Sequence, residues 1–205
     1  MDYPPGAPGA QPLLIVISGP SGVGKDSVVR RMKERGLPFQ FVVTATSRPQ
    51  RAGEVQARDY FFVTRQEFER MIAADELLEH ALVYNEHKGI PKEHVRQALA
   101  SGQDVVLRID VQGGETIRRL CPQALLIFLT TTSDEELIER LRARKTETPD
   151  GLALRIATAR EELAHLGNFD YLVFNPTDRL DEAVDAIVAI IEAEHHRVHP
   201  RRVTL

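Results

Sequence analysis

The sequence of 205 residues has few of the features that would tie it to a membrane, an export route or a nucleic acid. Its longest apolar runs, such as Leu13–Ile17 and Leu125–Leu129, are far shorter than the roughly 20 residues that span a bilayer. The first twelve residues lack the basic start and apolar centre of a signal peptide, and their proline and glycine content favours a disordered lead-in. The net charge of −4 argues against a nucleic-acid coat or a membrane-surface binder.

Cysteine is nearly absent as well. A single residue, Cys121, excludes an internal disulfide and is typical of a reducing compartment. It stands beside Pro122 and away from polar motifs, so we expect a small apolar side chain. Hydrophobic residues make up 42% and charged residues 27% of the chain, as in a globular domain. We expect one soluble, cytoplasmic domain, whose clustered arginines are still compatible with local anion sites.

Short β-branched runs alternate with segments of helical spacing along the chain. Strands are predicted at 13–17, 39–46, 60–63, 104–109, 124–129 and 171–175. Helices are predicted at 26–34, after a capping box of Thr64 and Glu67, and at 91–100, 115–120, 134–144, 152–166 and 180–194. The stretch from 75 to 89 is interpreted as irregular. This alternation predicts an α/β fold with a parallel sheet flanked by helices, and ligands beyond the carboxyl ends of its strands.

One segment stands out between the first predicted strand and the first predicted helix: Gly19-Pro20-Ser21-Gly22-Val23-Gly24-Lys25. A glycine-rich turn in this context is typical of a phosphate-binding loop. Glycines let backbone N–H groups surround an anion, and the helix start adds about half a positive charge. Lys25 would neutralise the outer phosphates. The segment therefore predicts a site for the phosphates of ATP.

Asp26 follows the lysine of this loop, where a serine or threonine usually reaches Mg²⁺, and Ser27 comes next. A carboxylate is also a hard-oxygen ligand for Mg²⁺, so Asp26 is a candidate metal ligand, directly or through water. The alternative is an acid that merely favours the helix dipole. The sequence leaves both interpretations open.

An ordered series of motifs from about Leu13 to Ile191 resembles the guanylate kinases. After the loop come Thr44-Ala45-Thr46-Ser47-Arg48, Arg51-x-Gly53-Glu54, Asp59-Tyr60, Glu79, Gly89, Ile109-Asp110-Val111-Gln112-Gly113, Arg140, Arg144, Arg155 and Asn175. The resemblance implies a P-loop NTPase core (13–43, 92–139 and 156–195), an insert for a nucleoside monophosphate (44–91), a helical lid (140–155) and a basic tail (196–205). It also implies phosphorylation of GMP and dGMP by ATP with Mg²⁺, no nucleic-acid or membrane partner, and a monomer or homodimer.

The resemblance assigns the acceptor phosphate to Arg48, Arg51 and Tyr60, and a planar guanidinium fork suits phosphate oxygens. Glu79 is similar to the family's acceptor of the guanine N1–H and N2–H₂ groups. Asp110 resembles a second guanine contact or a ligand of metal-bound water. The remaining residues of the implied acceptor site are Thr44, Lys88 and Gly89.

On the donor side, the resemblance implies that Arg140, Arg144 and Arg155 close over ATP and that Asn175 lies near the adenine. Phosphoryl transfer needs positioning and charge neutralisation more than covalent chemistry. The implied catalytic residues are Lys25, Arg48, Arg144 and Arg155. Three histidines near the C-terminus, at positions 195, 196 and 199, are expected to be solvated rather than to bind a metal.

Five positions depart from the family's pattern. Lys88 replaces a phosphate-binding tyrosine, Ile90 a hydroxyl near guanine O6, Arg108 an acid, Lys145 a lid glycine and His80 an aromatic residue. A lost base contact weakens discrimination by roughly 1–3 kcal/mol, so we expect altered selectivity or turnover.

Two other functions stay open from the sequence. The order Gly-Lys-Asp-Ser resembles that of ribose bisphosphate kinases, which would make the acceptor a different phosphorylated molecule. A non-catalytic guanylate-kinase-like binding module is the second alternative, and the retained Lys25 and lid arginines argue against it.

Overall fold

The structure is a computed structural model that describes residues 11–83, 85–143 and 149–205. Its strands are β1 Leu14–Ser18, β2 Gln40–Phe41, β3 Ala45–Thr46, β4 Phe61–Phe62, β5 Leu77–Val83, β6 Glu86–Pro91, β7 Val105–Arg108, β8 Leu125–Thr130 and β9 Tyr171–Phe174. Its helices are α1 Lys25–Glu34, α2 Arg65–Ala73, α3 Lys92–Ala100, α4 Val111–Leu120, α5 Asp134–Ala143, α6 Pro149–Leu163 and α7 Leu180–His195, with a short 3₁₀ turn at Leu166–Asn168.

A parallel sheet of five strands, in the order β2-β7-β1-β8-β9, forms the centre of the molecule. Ile15 of β1 lies opposite Val106 of β7 and Leu125 of β8. Side chains alternate between the two faces of β1, so each face has its own core. Ile15 and Ile17 pack with α1 and α7, whereas Leu14 and Val16 pack with α3 and α4. The predicted α/β fold with helices on both faces is confirmed.

A second, smaller sheet has the order β4-β3-β6-β5 and mixes parallel and antiparallel pairs. Its own apolar cluster consists of Ala45, Phe68 and Leu77. Phe68 belongs to α2, whose N-cap Thr64 accepts a hydrogen bond from the backbone N–H of Glu67, as the capping pattern predicts. The small sheet therefore packs against its own helix.

Two predictions in this region are wrong. The single strand predicted at 39–46 is divided between the sheets, because Gln40 pairs with Val105 whereas Ala45 pairs with Gly89. The irregular stretch predicted at 75–89 is mostly the antiparallel hairpin of β5 and β6. The register shifts between Leu77 and Glu79, and an irregularity of this kind interrupts the two-residue alternation by which a strand is recognised.

The helix α4 begins at Val111, four residues before its predicted start. Asp110 is its N-cap, and its Oδ1 atom accepts a hydrogen bond of 3.0 Å from the N–H of Gly113. A capping carboxylate stabilises the first turn, so the helix tolerates the two glycines near its start. Cys121, just after this helix, is buried as expected.

The C-terminal segment packs onto the core. Arg201 pairs with the buried Glu194 at 2.7 Å and donates to the carbonyl of Ala124 at 3.1 Å. His195 Nε2 lies 2.7 Å from Asp104 Oδ2, so the expectation of a solvated histidine is wrong at this position. Among the described residues, no helix combines the length and the apolar character needed to cross a bilayer.

Candidate active site

A cleft at the carboxyl end of the large sheet separates that sheet from the small one. The phosphate loop forms one wall and the small sheet the other. The cleft is lined by Pro20, Ser21, Gly22, Gly24, Lys25, Asp26, Ser27, Thr44, Arg48, Arg51, Tyr60, Glu79, Glu86, Lys88, Arg108, Ile109, Asp110, Arg155 and Glu162. Most of the predicted site residues thus share one cavity.

The phosphate loop depends on glycine at its first and last turns. Gly19 has a φ of +140°, and a Cβ atom there would lie 2.0 Å from the carbonyl oxygen of Leu129. Gly24 has a φ of +95°, and its Cβ would lie 2.5 Å from Nδ2 of Asn175. Residues other than glycine rarely adopt such backbone angles, so the shape of the loop requires glycine at both positions. Between them, Val23 is buried in the core that α1 and α7 form on one face of the large sheet, and this packing anchors the loop.

Lys25, the first residue of α1, is half-buried where the loop ends. Its Nζ donates to the carbonyl of Gly19 and, at 3.0 Å, to that of Pro20. Burial lowers the pKa of Lys25 to about 8, although the nearby Glu162 and Asp110 raise it. Because burial disfavours the ammonium form, an anion such as a phosphate beside it would stabilise that form.

Two predicted donor-side residues contact the loop from behind. The carbonyl of Val23 accepts hydrogen bonds from Asn175 Nδ2 at 2.8 Å and from Arg140 Nη1 at 3.2 Å. Arg140 is itself held by Glu136 at 2.7 Å. These contacts fix the loop, and the adenine contact expected of Asn175 stays a prediction.

A second arginine of the predicted lid, Arg155, also contacts the loop, since its Nη1 donates to Ser21 Oγ at 3.2 Å. Arg155 belongs to α6. The predicted catalytic Arg144 and the departure at Lys145 lie outside the described residues. Glu162, also on α6, faces the loop, and burial raises the pKa of its carboxyl group. Sequence reasoning missed Glu162, because one acid on a charged helix has no local signal.

On the opposite wall, Arg48 is held by a carboxylate. Glu54 accepts from its Nη1 and Nη2 atoms at 2.7 Å and 2.5 Å, and Glu54 also accepts from the backbone N–H of Arg51 at 2.9 Å. The hydrogen bond from Arg48 lowers the pKa of Glu54. The guanidinium of Arg48 lies 4.7 Å from the ring centroid of Tyr60. Glu54 thus orients Arg48, a role that the sequence motif did not reveal.

Glu79 lies at the back of this second wall and is only 4% exposed. Burial, with the charge of Asp110, raises the pKa of Glu79 to about 8. The carboxylate approaches the start of α4 so closely that a Cβ on Gly113 would lie 2.8 Å from Oε2. A buried carboxyl group beside a cleft is suited to bind paired N–H donors of a ligand.

Several of the departures from the family's pattern lie close to Glu79 in the structure. Lys88 is half-buried in the cleft wall, and this partial burial lowers its pKa. Thr44 Oγ1 lies 3.4 Å from the carbonyl of Arg108. Ile90 is fully buried in the core, opposite Glu79 in the hairpin, and does not line the cleft, whereas His80 is exposed. Gly89 also lies behind the cleft wall, where a Cβ would meet the carbonyl of Glu79 at 2.9 Å.

The candidate metal ligands Asp26 and Asp110 both line the cleft. The described residues contain no group of three or more histidine, cysteine, aspartate or glutamate side chains that would hold a metal by themselves. Mg²⁺ at a kinase site is usually bound by one or two carboxylates together with substrate phosphates. Two carboxylates beside a phosphate loop therefore fit a Mg²⁺ ion that arrives with its nucleotide.

A phosphate loop on a parallel sheet, facing a basic cleft wall on a small insert, defines a P-loop kinase of the nucleoside monophosphate kinase class. The guanylate kinase family model matches residues 11–194. The chain belongs to the guanylate kinase family.

Individual relatives agree with this assignment. The chain is 52% identical over 202 residues to guanylate kinase 2, chloroplastic/mitochondrial, of Oryza sativa subsp. japonica, with 98% of this chain and 71% of the relative covered. It is 46% identical to guanylate kinase of Gloeobacter violaceus, with 92% of each covered. The crystal structure of guanylate kinase from Anaplasma phagocytophilum has a TM-score of 0.75 at 28% identity, covering 91% of this chain and 87% of that one.

Proposed function

We propose that the chain transfers the terminal phosphoryl group of ATP to GMP, and to dGMP, with Mg²⁺. The observation that carries the proposal is the arrangement of the cleft. It places the phosphate loop with Lys25 opposite a wall that holds Arg48 and the buried Glu79. The wall with the phosphate loop suits a triphosphate, and the wall with Arg48 and Glu79 suits the phosphate and base of a nucleoside monophosphate.

On the donor wall, backbone N–H groups of residues 21–24 and the start of α1 bind the β-phosphate, and Lys25 bridges the β- and γ-phosphates. Arg155, which reaches Ser21, adds positive charge from the lid helix, with Arg144 as a further contributor. Asp26 and Asp110 would hold Mg²⁺ directly or through water, and the ion would neutralise charge on the phosphates.

On the acceptor wall, Arg48, Arg51, Tyr60 and Lys88 bind the phosphate of GMP. Glu79 as a carboxylate accepts the N1–H and N2–H₂ groups of guanine, with Thr44 and Asp110 nearby. Adenine has no such pair of donors on this edge and would leave the buried carboxyl group unsatisfied. An oxygen of the GMP phosphate then forms the bond to the γ-phosphorus while the bond to the β-phosphate oxygen breaks, leaving ADP.

A coupled assay of ADP formation tests the proposal with GMP, dGMP, AMP, UMP and ribose 1,5-bisphosphate as acceptors, in Mg²⁺ and then in excess EDTA. We expect the highest kcat/KM with GMP and dGMP and no turnover in EDTA. Turnover of another acceptor as efficient as that of GMP would contradict the acceptor assignment. ADP formation that no acceptor stimulates would indicate an ATPase, and the absence of any ADP formation would indicate a binding module.

A further inference from the structure

Arg108 joins the three parts of the molecule that meet at the cleft. It is the last residue of β7, at the carboxyl end of the large sheet, where it pairs with Ile17 of β1. Its Nη1 donates to Asp26 Oδ1 at 2.5 Å, and Asp26 is the second residue of α1, directly after the lysine of the loop. Its guanidinium carbon lies 4.5 Å from the ring centroid of Tyr60 in the insert.

Positively charged side chains converge around the ring of Tyr60. The guanidinium groups of Arg48 and Arg108 both lie against this ring, at 4.7 Å and 4.5 Å. Lys88 is half-buried nearby, and its pKa is lowered by burial and, to a smaller extent, by the charges of Arg108 and Arg48, against the opposing charges of Asp110 and Asp26. Like charges that converge in a cleft repel one another, and an anion placed among them removes this cost.

We propose that Arg108 binds the phosphate of the acceptor nucleotide and that Asp26 holds its guanidinium in place before the nucleotide arrives. The inference rests on the proposed function, since it names a further residue of the same acceptor site. Arg108 spans the gap between the acceptor wall and the phosphate loop, so its fork lies where the attacking oxygen must approach the donor. A guanidinium with two parallel N–H groups can keep one contact to Asp26 and offer others to phosphate.

A purely structural role would have different consequences. Arg108 has a side chain that is 17% exposed and lines the cleft rather than the core, so it is accessible to a ligand. If its only task were to neutralise Asp26, removing both charges together would restore the site. If it binds phosphate, removing the carboxylate cannot replace the lost cation. The two roles are therefore separated by a double-mutant cycle.

The experiment measures the Kd of GMP and of guanosine, without ATP, for the full-length chain and the variants Arg108→Met, Asp26→Ser and the double variant. Titrations followed by NMR reach the weak binding expected of guanosine. Arg58→Met is the matched control, because Arg58 is 66% exposed, pairs with Asp59 in the same insert and does not line the cleft. Thermal unfolding of every variant checks the fold.

We expect Arg108→Met to raise the Kd of GMP by about 10- to 100-fold, with or without Asp26, and to change the Kd of guanosine by less than about threefold. Arg58→Met should leave both within about twofold. Equal weakening of GMP and guanosine, recovery of GMP binding in the double variant, or a similar loss in Arg58→Met would each overturn the assignment. Should Arg108→Met fail to fold, Arg108→Lys keeps the charge without the fork and should raise the Kd of GMP alone.

The wild-type chain distinguishes this inference from the function on which it rests. If wild type binds no GMP and forms no GDP from ATP, the proposed function fails. If wild type does both and the cycle shows no phosphate-specific loss, only the role of Arg108 fails.

Discussion

The two walls of the cleft are built in different ways. The proposed donor wall is a contiguous loop that offers backbone N–H groups, shaped by Gly19 and Gly24 and fixed from behind by Asn175. The acceptor wall brings together side chains from separate strands and loops, and several of them are buried charges. Arg48 needs Glu54 to orient it, whereas Glu79 is buried with a raised pKa.

This difference determines which substitutions impair each wall. A backbone site is insensitive to most side-chain changes but does not tolerate a Cβ atom where the loop must turn. A side-chain site tolerates backbone change better but depends on the charge state of each buried group. Lys25 is the exception on the donor wall, since it is a half-buried charged side chain with a lowered pKa. The predictions below test this contrast, from the largest expected effect to the smallest.

The largest loss is expected from Lys25→Met. This change removes the half-buried cation of the phosphate loop, so kcat should fall at least about 10³-fold. GMP binding should change little. Steady-state kinetics and a GMP titration check both parts, with Lys33→Met, at the other end of α1 and outside the cleft, as the control. Near-normal turnover of Lys25→Met would show that the loop does not hold the transferred phosphates.

The second largest effect is expected from replacing a glycine of the phosphate loop, compared with a glycine of the loop that holds Arg51 and Glu54. Gly19→Ala combines a φ of +140° with a contact of 2.0 Å to the carbonyl oxygen of Leu129. We therefore expect the free energy of unfolding to fall by more than about 3 kcal/mol. ATP binding should be lost as well. Gly53→Ala, in the acceptor loop, has a φ of +85° but nothing within 4 Å, so it should cost only about 1–2 kcal/mol. Denaturant unfolding measures both. Equal costs would mean that the close approach at Gly19 contributes nothing.

Glu79→Gln tests the base-binding side chain of the acceptor wall. Replacing an acceptor of two N–H groups by an amide should raise the KM for GMP by about 10- to 100-fold and leave the Kd of ATP unchanged. Gly113→Ala should act in the same direction, because its Cβ would lie 2.8 Å from the Glu79 carboxylate. Loss of ATP affinity equal to that of GMP would place the base elsewhere.

The smallest effect is expected in the pH dependence of ligand binding between pH 7 and 8.5, where the KM for GMP and the Kd of ATP should change in opposite directions. Glu79 has a raised pKa of about 8, so its carboxylate form grows with pH and the KM for GMP should fall by about five- to tenfold. Lys25 has a lowered pKa of about 8, so its cation is lost over the same range and the Kd of ATP should rise. Glu79→Gln should flatten the first slope alone. Parallel slopes for both ligands would contradict the separate assignments.

The donor wall was predictable because its sequence signal is local. Gly19 to Lys25 lie between a strand and a helix, and the structure places them there. The acceptor wall was predictable only through the family resemblance, because its residues are far apart along the chain. The hairpin of β5 and β6, which positions Glu79 and Lys88, was missed since its register shift interrupts the alternation.

Contacts between distant side chains were also beyond sequence reasoning. The pairing of Arg108 with Asp26 joins residues 82 positions apart, and neither residue signals the other. Glu54 lies close to Arg48 along the chain, but its bidentate geometry depends on the turn between them. The sequence motifs located the walls, and the tertiary fold determined which charges within them meet.

The central claim is that the cleft contains two separable sites, and crossed titrations test it most directly. Lys25→Met and Glu79→Gln are each titrated calorimetrically with a non-hydrolysable ATP analogue and with GMP. We predict that Lys25→Met loses only the analogue and that Glu79→Gln loses only GMP, with the other Kd within about threefold of wild type. Loss of both ligands in either folded variant would contradict the account.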